Sequence, residues 1–357
     1  MLVNKPKEIA LALSGGGVRA MVFHLGVIKF LAEENLLERV SNVSTVSGGS
    51  LLIGLLLQNN KMSWPTSQDF IQRSLPYFQE NLCTRNMMTD ILLQLRYPKN
   101  WKYLFSRANL LSKALKTNWG VNAQLSELPS KPEISINGTT AETGKRFRFK
   151  KENIGEYVLG YSASEKFSLS DALAVSAAFP GGIGPLVIEA SKKSWFKRKW
   201  GEPIEKNSEV VLPYKRLHLY DGGVYDNLGI EPFFDNGNLE KKPLLNAETK
   251  IIVSDAGAPL VDGFSLSKLN PKRLKRVADI MSEQSRALRV RSFMSYLNKG
   301  NNGAYYCIKE SISNLGDCES ASFASNFPTT LRKLKNKEFE TLLNHGYQVA
   351  KKISSRD

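Results

Sequence analysis

The sequence predicts an α/β protein built on a parallel sheet flanked by helices, and three features lead there. Within the first fifty residues, a strand-like run, a glycine turn and a helical pattern follow one another twice. The second helical segment, residues 51–57, is apolar all round, as a helix buried under a sheet must be. Short strand-like runs return at 217–220 and 251–253, and strands alternating with helices favour parallel pairing.

Taken in order, residues 9–13 form an apolar run that stops at Ser14-Gly15-Gly16-Gly17. Apolar residues then recur at helical spacing (Val22, Leu25, Ile28, Leu31) until the polar Glu33-Glu34-Asn35. Residues 40–46 are again strand-like. From about 62 to 119 helix formers and aromatics dominate, which predicts a helical excursion from the core. Strand patterns reappear at 133–137 and at 145–150, where Phe147 and Phe149 alternate with Arg146 and Arg148. Ser168-Leu-Ser-Asp171 resembles a capping box opening a short helix that ends before Pro180. From about 265 onward the pattern is basic amphipathic helix with one strand near 304–308, and no internal repeat occurs. The expected organisation is a single domain over 1–357, with a core of about 8–260 and a basic helical C-terminal region of about 265–357.

With 42% hydrophobic and 23% charged residues, the composition is that of an ordinary globular protein. Cys83, Cys307 and Cys318 are too few and too scattered for a disulfide framework or a zinc site. They are expected to be free thiols in a reducing compartment. The apolar run after residues 1–7 is too short for a signal peptide, and the longest apolar stretch falls far below the roughly 20 residues of a membrane span. The expected location is therefore cytoplasmic. Asn42-Val-Ser44 and Asn137-Gly-Thr139 match the glycosylation sequon, which means little without a secretory route. A net charge of +15 points to an anionic partner, nucleic acid or an anionic lipid surface.

Three glycine-bearing turns carry the chemistry. In Ser14-Gly-Gly-Gly-Val-Arg19, consecutive glycines let N–H groups converge unobstructed, and the following helix adds its positive end. Such a loop cradles a phosphate or an oxyanion. Gly15-x-Gly17-x-x-Ala20 also fits the dinucleotide fingerprint, but the second strand ends in Val46-Ser47 with no carboxylate for a ribose. A phosphate-binding P-loop is excluded because no Gly-Lys-Ser/Thr follows. Thr45-Val-Ser47-Gly-Gly49, between a strand and an apolar helix, stands where a nucleophile elbow belongs, with Thr45 replacing the usual first glycine. The plainer reading of this turn is a helix N-cap with glycine slack. Asp221-Gly-Gly-Val-Tyr-Asp-Asn-Leu-Gly229 sets a carboxylate at a strand end, either aimed into a cleft or simply part of an Asp-Gly turn.

These motifs, in this order, resemble the patatin-like phospholipase family and the related cytosolic phospholipases. The resemblance covers roughly residues 8 to 260 and includes Ser176-Ala-Ala-Phe-Pro180. It implies a patatin-like three-layer α/β fold, a mainly parallel central sheet flanked by helices, with helical insertions. It also implies Ser47 as nucleophile, Asp221 as its base, and Gly15, Gly16 and Gly17 as the oxyanion loop. Arg19 stands beside that loop as a substrate-binding candidate.

The chemistry needs no histidine. A carboxylate within reach of the serine can take its proton as the hydroxyl attacks an ester carbonyl. Backbone N–H groups then hold the tetrahedral oxyanion, and water later releases the fatty acid. The competing Ser-His-Asp arrangement has three histidines to draw on. His345 would complete it, but lies in a helical pattern; His24 lies in the first helix, and His218 should face away from Asp221 along its strand.

The expected activity is therefore phospholipase A-type lipid acyl hydrolysis, with no cofactor and no metal, calcium included. The expected partners are a phospholipid or other acyl-lipid substrate and an anionic membrane surface, with no specific nucleic acid and an open oligomeric state. Acyl transfer or thioester hydrolysis by the same dyad, and a catalytically silent membrane- or nucleic-acid-binding module, are the alternatives. Lys192-Lys-Ser-Trp-Phe-Lys-Arg-Lys-Trp200 suits a lipid headgroup interface, or equally a basic loop with its aromatics packed on the core. A second basic stretch, residues 271–293, is assigned no specific role.

Overall fold

The computed structural model describes residues 5–104, 106–180, 183–197, 208–260, 263, 270, 272–311 and 318–355. Strand β1 (Glu8–Leu13) leads into helix α1 (Gly17–Glu33), and β2 (Val40–Thr45) leads into α2 (Gly48–Asn59). The excursion follows as α3 (Ser67–Asp69), α4 (Leu75–Thr84), α5 (Met87–Leu93) and α6 (Arg107–Thr117). Next come β3 (Glu133–Thr140), β4 (Arg146–Phe149), β5 (Asn153–Glu156), β6 (Gly160–Ala163) and α7 (Leu169–Ser176). After β7 (Leu186–Glu189), β8 (Trp195–Phe196) and β9 (Glu209–Val210), β10 (Arg216–Asp221) ends on a key carboxylate and runs into α8 (Gly223–Asp226). A small hairpin, β11 (Phe234–Asp235) and β12 (Glu240–Lys241), precedes β13 (Thr249–Asp255). The chain closes with α9 (Lys272–Asn298), β14 (Gly303–Cys307), α10 (Cys318–Asn326) and α11 (Asn336–Ser354).

The twelve-stranded sheet runs β14-β13-β1-β2-β3-β4-β5-β6-β8-β9, with β10 pairing to β3 and β7. From β14 to β3 the neighbours are parallel; from β3 outward they are antiparallel. The parallel half and its flanking helices match the expected architecture. The antiparallel wing, β5 to β9, is largely missed by sequence patterning because its strands are two to four residues long, too short to show alternation.

Helix α2 is buried on every side, as its composition demands, and each of its fully buried leucines contributes about 1.5–3 kcal/mol. Helix α11 crosses α1 backbone to backbone: a Cβ on Gly26 would meet Leu343 O at 2.1 Å, and one on Gly346 would meet Phe23 O at 2.1 Å. The C-terminal region thus adds β14 to the parallel sheet and a cover to α1. Within the aromatic–basic stretch, Trp195 is 2% exposed and donates its indole N–H to Ala190 O, so here the aromatic packs on the core. Arg198, Lys199 and Trp200 lie outside the described residues. Two arginines of the 271–293 stretch also turn inward, Arg286 onto Asp255 and Arg289 towards Asp226. No helix among the described residues is long and apolar enough to cross a membrane.

Candidate active site

Ser47 occupies the turn between β2 and α2 with φ 50° and ψ −115°. This conformation is strained for a residue with a Cβ, at a cost of roughly 1–3 kcal/mol. Its hydroxyl makes no cap bond to α2, so the N-cap reading of the motif fails; it lies close enough to the Asp221 carboxyl to favour that group's ionised form. Close packing holds the turn in place. A Cβ on Gly48 would stand 2.3 Å from Gly17 O, and one on Gly49 would stand 2.6 Å from Leu13 O. Of residues 43–50 only Ser47 is more than marginally exposed, and of residues 9–20 only Gly16.

A buried hydroxyl network underlies the elbow. Ser47 N–H donates to Ser176 Oγ (3.0 Å), which donates in turn to Asn137 O (2.6 Å). Ser50 Oγ lies 2.8 Å from both Ser176 Oγ and Thr45 Oγ1. Thr45, which replaces the usual glycine, therefore spends its hydroxyl inside this network, and the elbow forms with it in place. Ser176→Ala strands the Ser47 N–H and the Asn137 carbonyl. The expected loss is about 1–3 kcal/mol of stability by chemical denaturation, and a variant as stable as the parent would show the network to be idle.

Asp221 sits at the end of β10, 3% exposed. Its main chain is anchored on both sides, N–H to Ala178 O (3.1 Å) and carbonyl accepting from Thr139 Oγ1 (2.9 Å). The Ser176-Ala-Ala-Phe-Pro180 segment thus supports both residues, Ser47 through Ser176 and Asp221 through Ala178. Burial pushes the Asp221 carboxyl up to about 7, opposed by the Gly223 N–H at 2.7 Å and the Ser47 hydroxyl. A carboxylate so placed can exchange a proton near neutrality.

The glycine loop lies directly against the elbow. A Cβ on Gly15 would meet Ser47 Cβ at 3.0 Å and Asn227 Oδ1 at 2.4 Å. Gly15 N–H is already donated to Asn227 O (3.1 Å), and Val18 N–H to Thr330 O (2.9 Å). Neither Gly16 nor Gly17 donates to a backbone carbonyl among the described residues, so their N–H groups are the ones left for an oxyanion. Gly16 (φ 146°) and Gly17 (φ 60°) hold angles that only glycine adopts readily.

Arg19 differs from the expectation of a substrate-facing group. It is 1% exposed; Nε donates to Ala256 O (3.1 Å) and Nη1 to Phe327 O, and burial pulls its pKa down to about 10. The side chain points back along its own helix into a core of main-chain carbonyls, where it ties the loop to residues 256 and 327.

The three histidines are engaged elsewhere. His24 is fully buried between Ser254 Oγ (2.7 Å) and Ser14 O (3.0 Å), and burial lowers its pKa to about 4. His218 pairs with Glu142 at 2.7 Å, and His345 Nε2 lies 2.7 Å from Ile308 O. No group of three or more His, Cys, Asp or Glu among the described residues is arranged to hold a metal.

Sequence reasoning did not find Asn137, Asn227 or Thr330 as site residues. Asn137 showed only as a sequon, yet its Nδ2 donates to Thr45 O (2.9 Å) and Ser44 Oγ (2.9 Å) beneath the elbow. Asn227 lay within the Asp-Gly-Gly motif, a signal available but unused. Thr330 carried none, since its contribution is a main-chain carbonyl.

A family model described as patatin-like phospholipase matches residues 11–234. No curated protein matches the chain. Among solved structures, human GIVD cytosolic phospholipase A2 matches at TM-score 0.54 and 13% identity, over 99% of this chain and 59% of that one. The same human enzyme in complex with methyl γ-linolenyl fluorophosphonate gives 0.53 and 14%, over 99% and 58%. VipD from Legionella pneumophila gives 0.40 and 13%, over 99% and 68%. The chain thus spans about three fifths of the human enzyme's length, and at this identity the likeness is one of fold.

Proposed function

The chain belongs to the patatin-like phospholipase family, and from that premise we propose that it is a phospholipase A-type lipid acyl hydrolase working through Ser47 and Asp221. The observation that carries this reading is a strained serine at the strand–helix turn set beside a buried carboxyl that its hydroxyl influences and that burial pushes up to about 7. Asp221 takes the Ser47 proton as the hydroxyl attacks the acyl carbonyl, and the carbonyl electrons move onto its oxygen. Gly16 and Gly17 N–H groups receive that oxyanion; Gly15, its own N–H occupied, supplies clearance. The tetrahedral intermediate collapses, the C–O bond to the lysolipid breaks, and the proton held by Asp221 passes to the leaving alkoxide. Water deprotonated by Asp221 then attacks the acyl-serine, releasing the fatty acid and restoring the Ser47 hydroxyl.

Phe179 and Val224, 43% and 48% exposed, supply apolar surface next to the residues that anchor Asp221, suited to an acyl chain. Two measurements test the proposal together: fatty-acid release from mixed phospholipid vesicles, and mass spectrometry of the chain trapped with an acyl fluorophosphonate. Release should accompany a single adduct on the peptide containing Ser47. An adduct elsewhere, or release that survives complete labelling of Ser47, rejects it.

A further inference from the structure

Helix α9 reverses the usual amphipathic arrangement over its middle three turns. Its inner face is well packed: Phe293 and Tyr296 meet Phe234 edge to face (ring centroids 5.5 and 5.3 Å), and Arg286 is buried against Asp255. Its outer face carries Val277 (53% exposed), Ile280 (39%), Met281 (67%) and Leu288 (59%). Their spacing of three, four, seven and eleven residues brings all four onto one side of a helix of 3.6 residues per turn. Single exposed apolar residues are ordinary on a protein surface, but four along one side of a helix, interrupted only by Gln284, mark an interaction site.

Charge decides what the stripe meets. Arg273 and Arg291 fall on the same side of the helix as the apolar four, about one turn before and one turn after them, and both are exposed. Next to Arg291 a shallow groove of about 380 Å³ runs between α9 and β14, its floor formed by Ala287 and Val290, with Lys309 also lining it. Apolar side chains bordered by cations, on a chain of net charge +15, complement a surface with anionic headgroups outside and hydrocarbon beneath. The helix is also joined to the candidate site: Arg289 lies 3.5 Å from Asp226 and stacks over Tyr225 at 5.4 Å, five and four residues past Asp221.

We propose that the outer face of α9 is the surface by which the chain docks on an anionic lipid bilayer. The choice of a bilayer as occupant rests on the lipid acyl hydrolase reading above. In this arrangement Val277, Ile280, Met281 and Leu288 enter the boundary between headgroups and acyl chains, Arg273 and Arg291 meet lipid phosphates, and the contact through Arg289 sets the height of the Asp221 turn above the membrane.

The test measures partition of the full chain onto phosphatidylcholine vesicles with and without phosphatidylserine, at low and high salt. Alongside the parent it uses the double variant Met281→Glu with Leu288→Glu, and separately Arg291→Glu. Binding should need the anionic lipid, weaken with salt, and fall about tenfold or more in the double variant, while hydrolysis of a water-soluble short-chain ester and the thermal midpoint stay at parental values. Arg291→Glu should weaken binding less and flatten its salt dependence. Parental vesicle binding by the double variant overturns the proposal. So does parental protein that ignores phosphatidylserine, or loss in the variants of self-association or nucleic-acid binding with vesicle binding intact. Partition is measured without turnover, so a chain that hydrolyses no ester refutes the activity reading and leaves this comparison decisive.

Discussion

Asp221→Asn is expected to abolish hydrolysis while making the protein more stable at pH 8. Burial raises the Asp221 pKa to about 7 from an ordinary value near 3.8. The folded state therefore holds a proton that the unfolded chain gives up as pH rises from about 4 to 7. The stability linked to that proton is fully present below about 4, declines as pH climbs through the folded pKa, and is gone above it. Asparagine keeps the acceptor for Gly223 N–H and never ionises, so it escapes this loss. The expected gain at pH 8 is roughly 1–4 kcal/mol by denaturant titration, vanishing near pH 4.

Activity moves the other way. Without a base the Ser47 hydroxyl is a poor nucleophile, so kcat should fall about ten thousandfold or more in Asp221→Asn, and as far in Ser47→Ala. In the parent, kcat/KM should rise with pH to a plateau with an apparent pKa near 7, the form in which Asp221 accepts a proton. A rate that keeps falling from pH 5 to 8, or an Asp221→Asn variant of parental activity, would remove Asp221 from the mechanism.

The second large effect concerns the glycine loop. Gly17→Ala puts a Cβ 2.4 Å from Thr330 O and 3.0 Å from Thr330 N, at φ 60°. Neither atom belongs to a side chain that can swing aside, so the loop and the segment at 330 must part. That motion misplaces the Gly16 and Gly17 N–H groups, and losing an oxyanion donor costs about a hundredfold to a thousandfold in kcat. Gly120→Ala is the control: it has φ 70° with nothing within 4 Å of its Cβ, so it carries the backbone strain alone, of roughly 1 kcal/mol, and should leave kcat unchanged. Equal activity in the two variants would show that the loop's clearance is not needed for turnover.

Much of the architecture was legible because it is written in local patterns. The parallel strands β1 and β13 announce themselves as apolar runs, α2 as an unbroken apolar helix, and α7 by the Ser168 cap that accepts from Asp171 N–H. The antiparallel wing escaped notice because two-residue strands such as β8 and β9 are defined by their partners, not by any periodicity of their own. The basic stretch from 271 to 293 showed its charges but not that Arg286 and Arg289 face inward while Val277, Met281 and Leu288 face out.

What the sequence by itself determined was chemical type and order: a glycine turn, a serine turn and an aspartate turn, each after a strand. Tertiary structure decided which groups remain free to act. Folding brought the Asn227 carbonyl onto Gly15 N–H and the Thr330 carbonyl onto Val18 N–H, narrowing the loop's open donors to Gly16 and Gly17. It also turned Arg19 inward and placed Ser176 beneath Ser47. The partners in these bonds are separated by 129 to more than 300 residues, and most acceptors are main-chain carbonyls that every residue type carries. No pattern of side chains can announce such partners; the packing of the sheet, α1 and the returning C-terminal segment selects them.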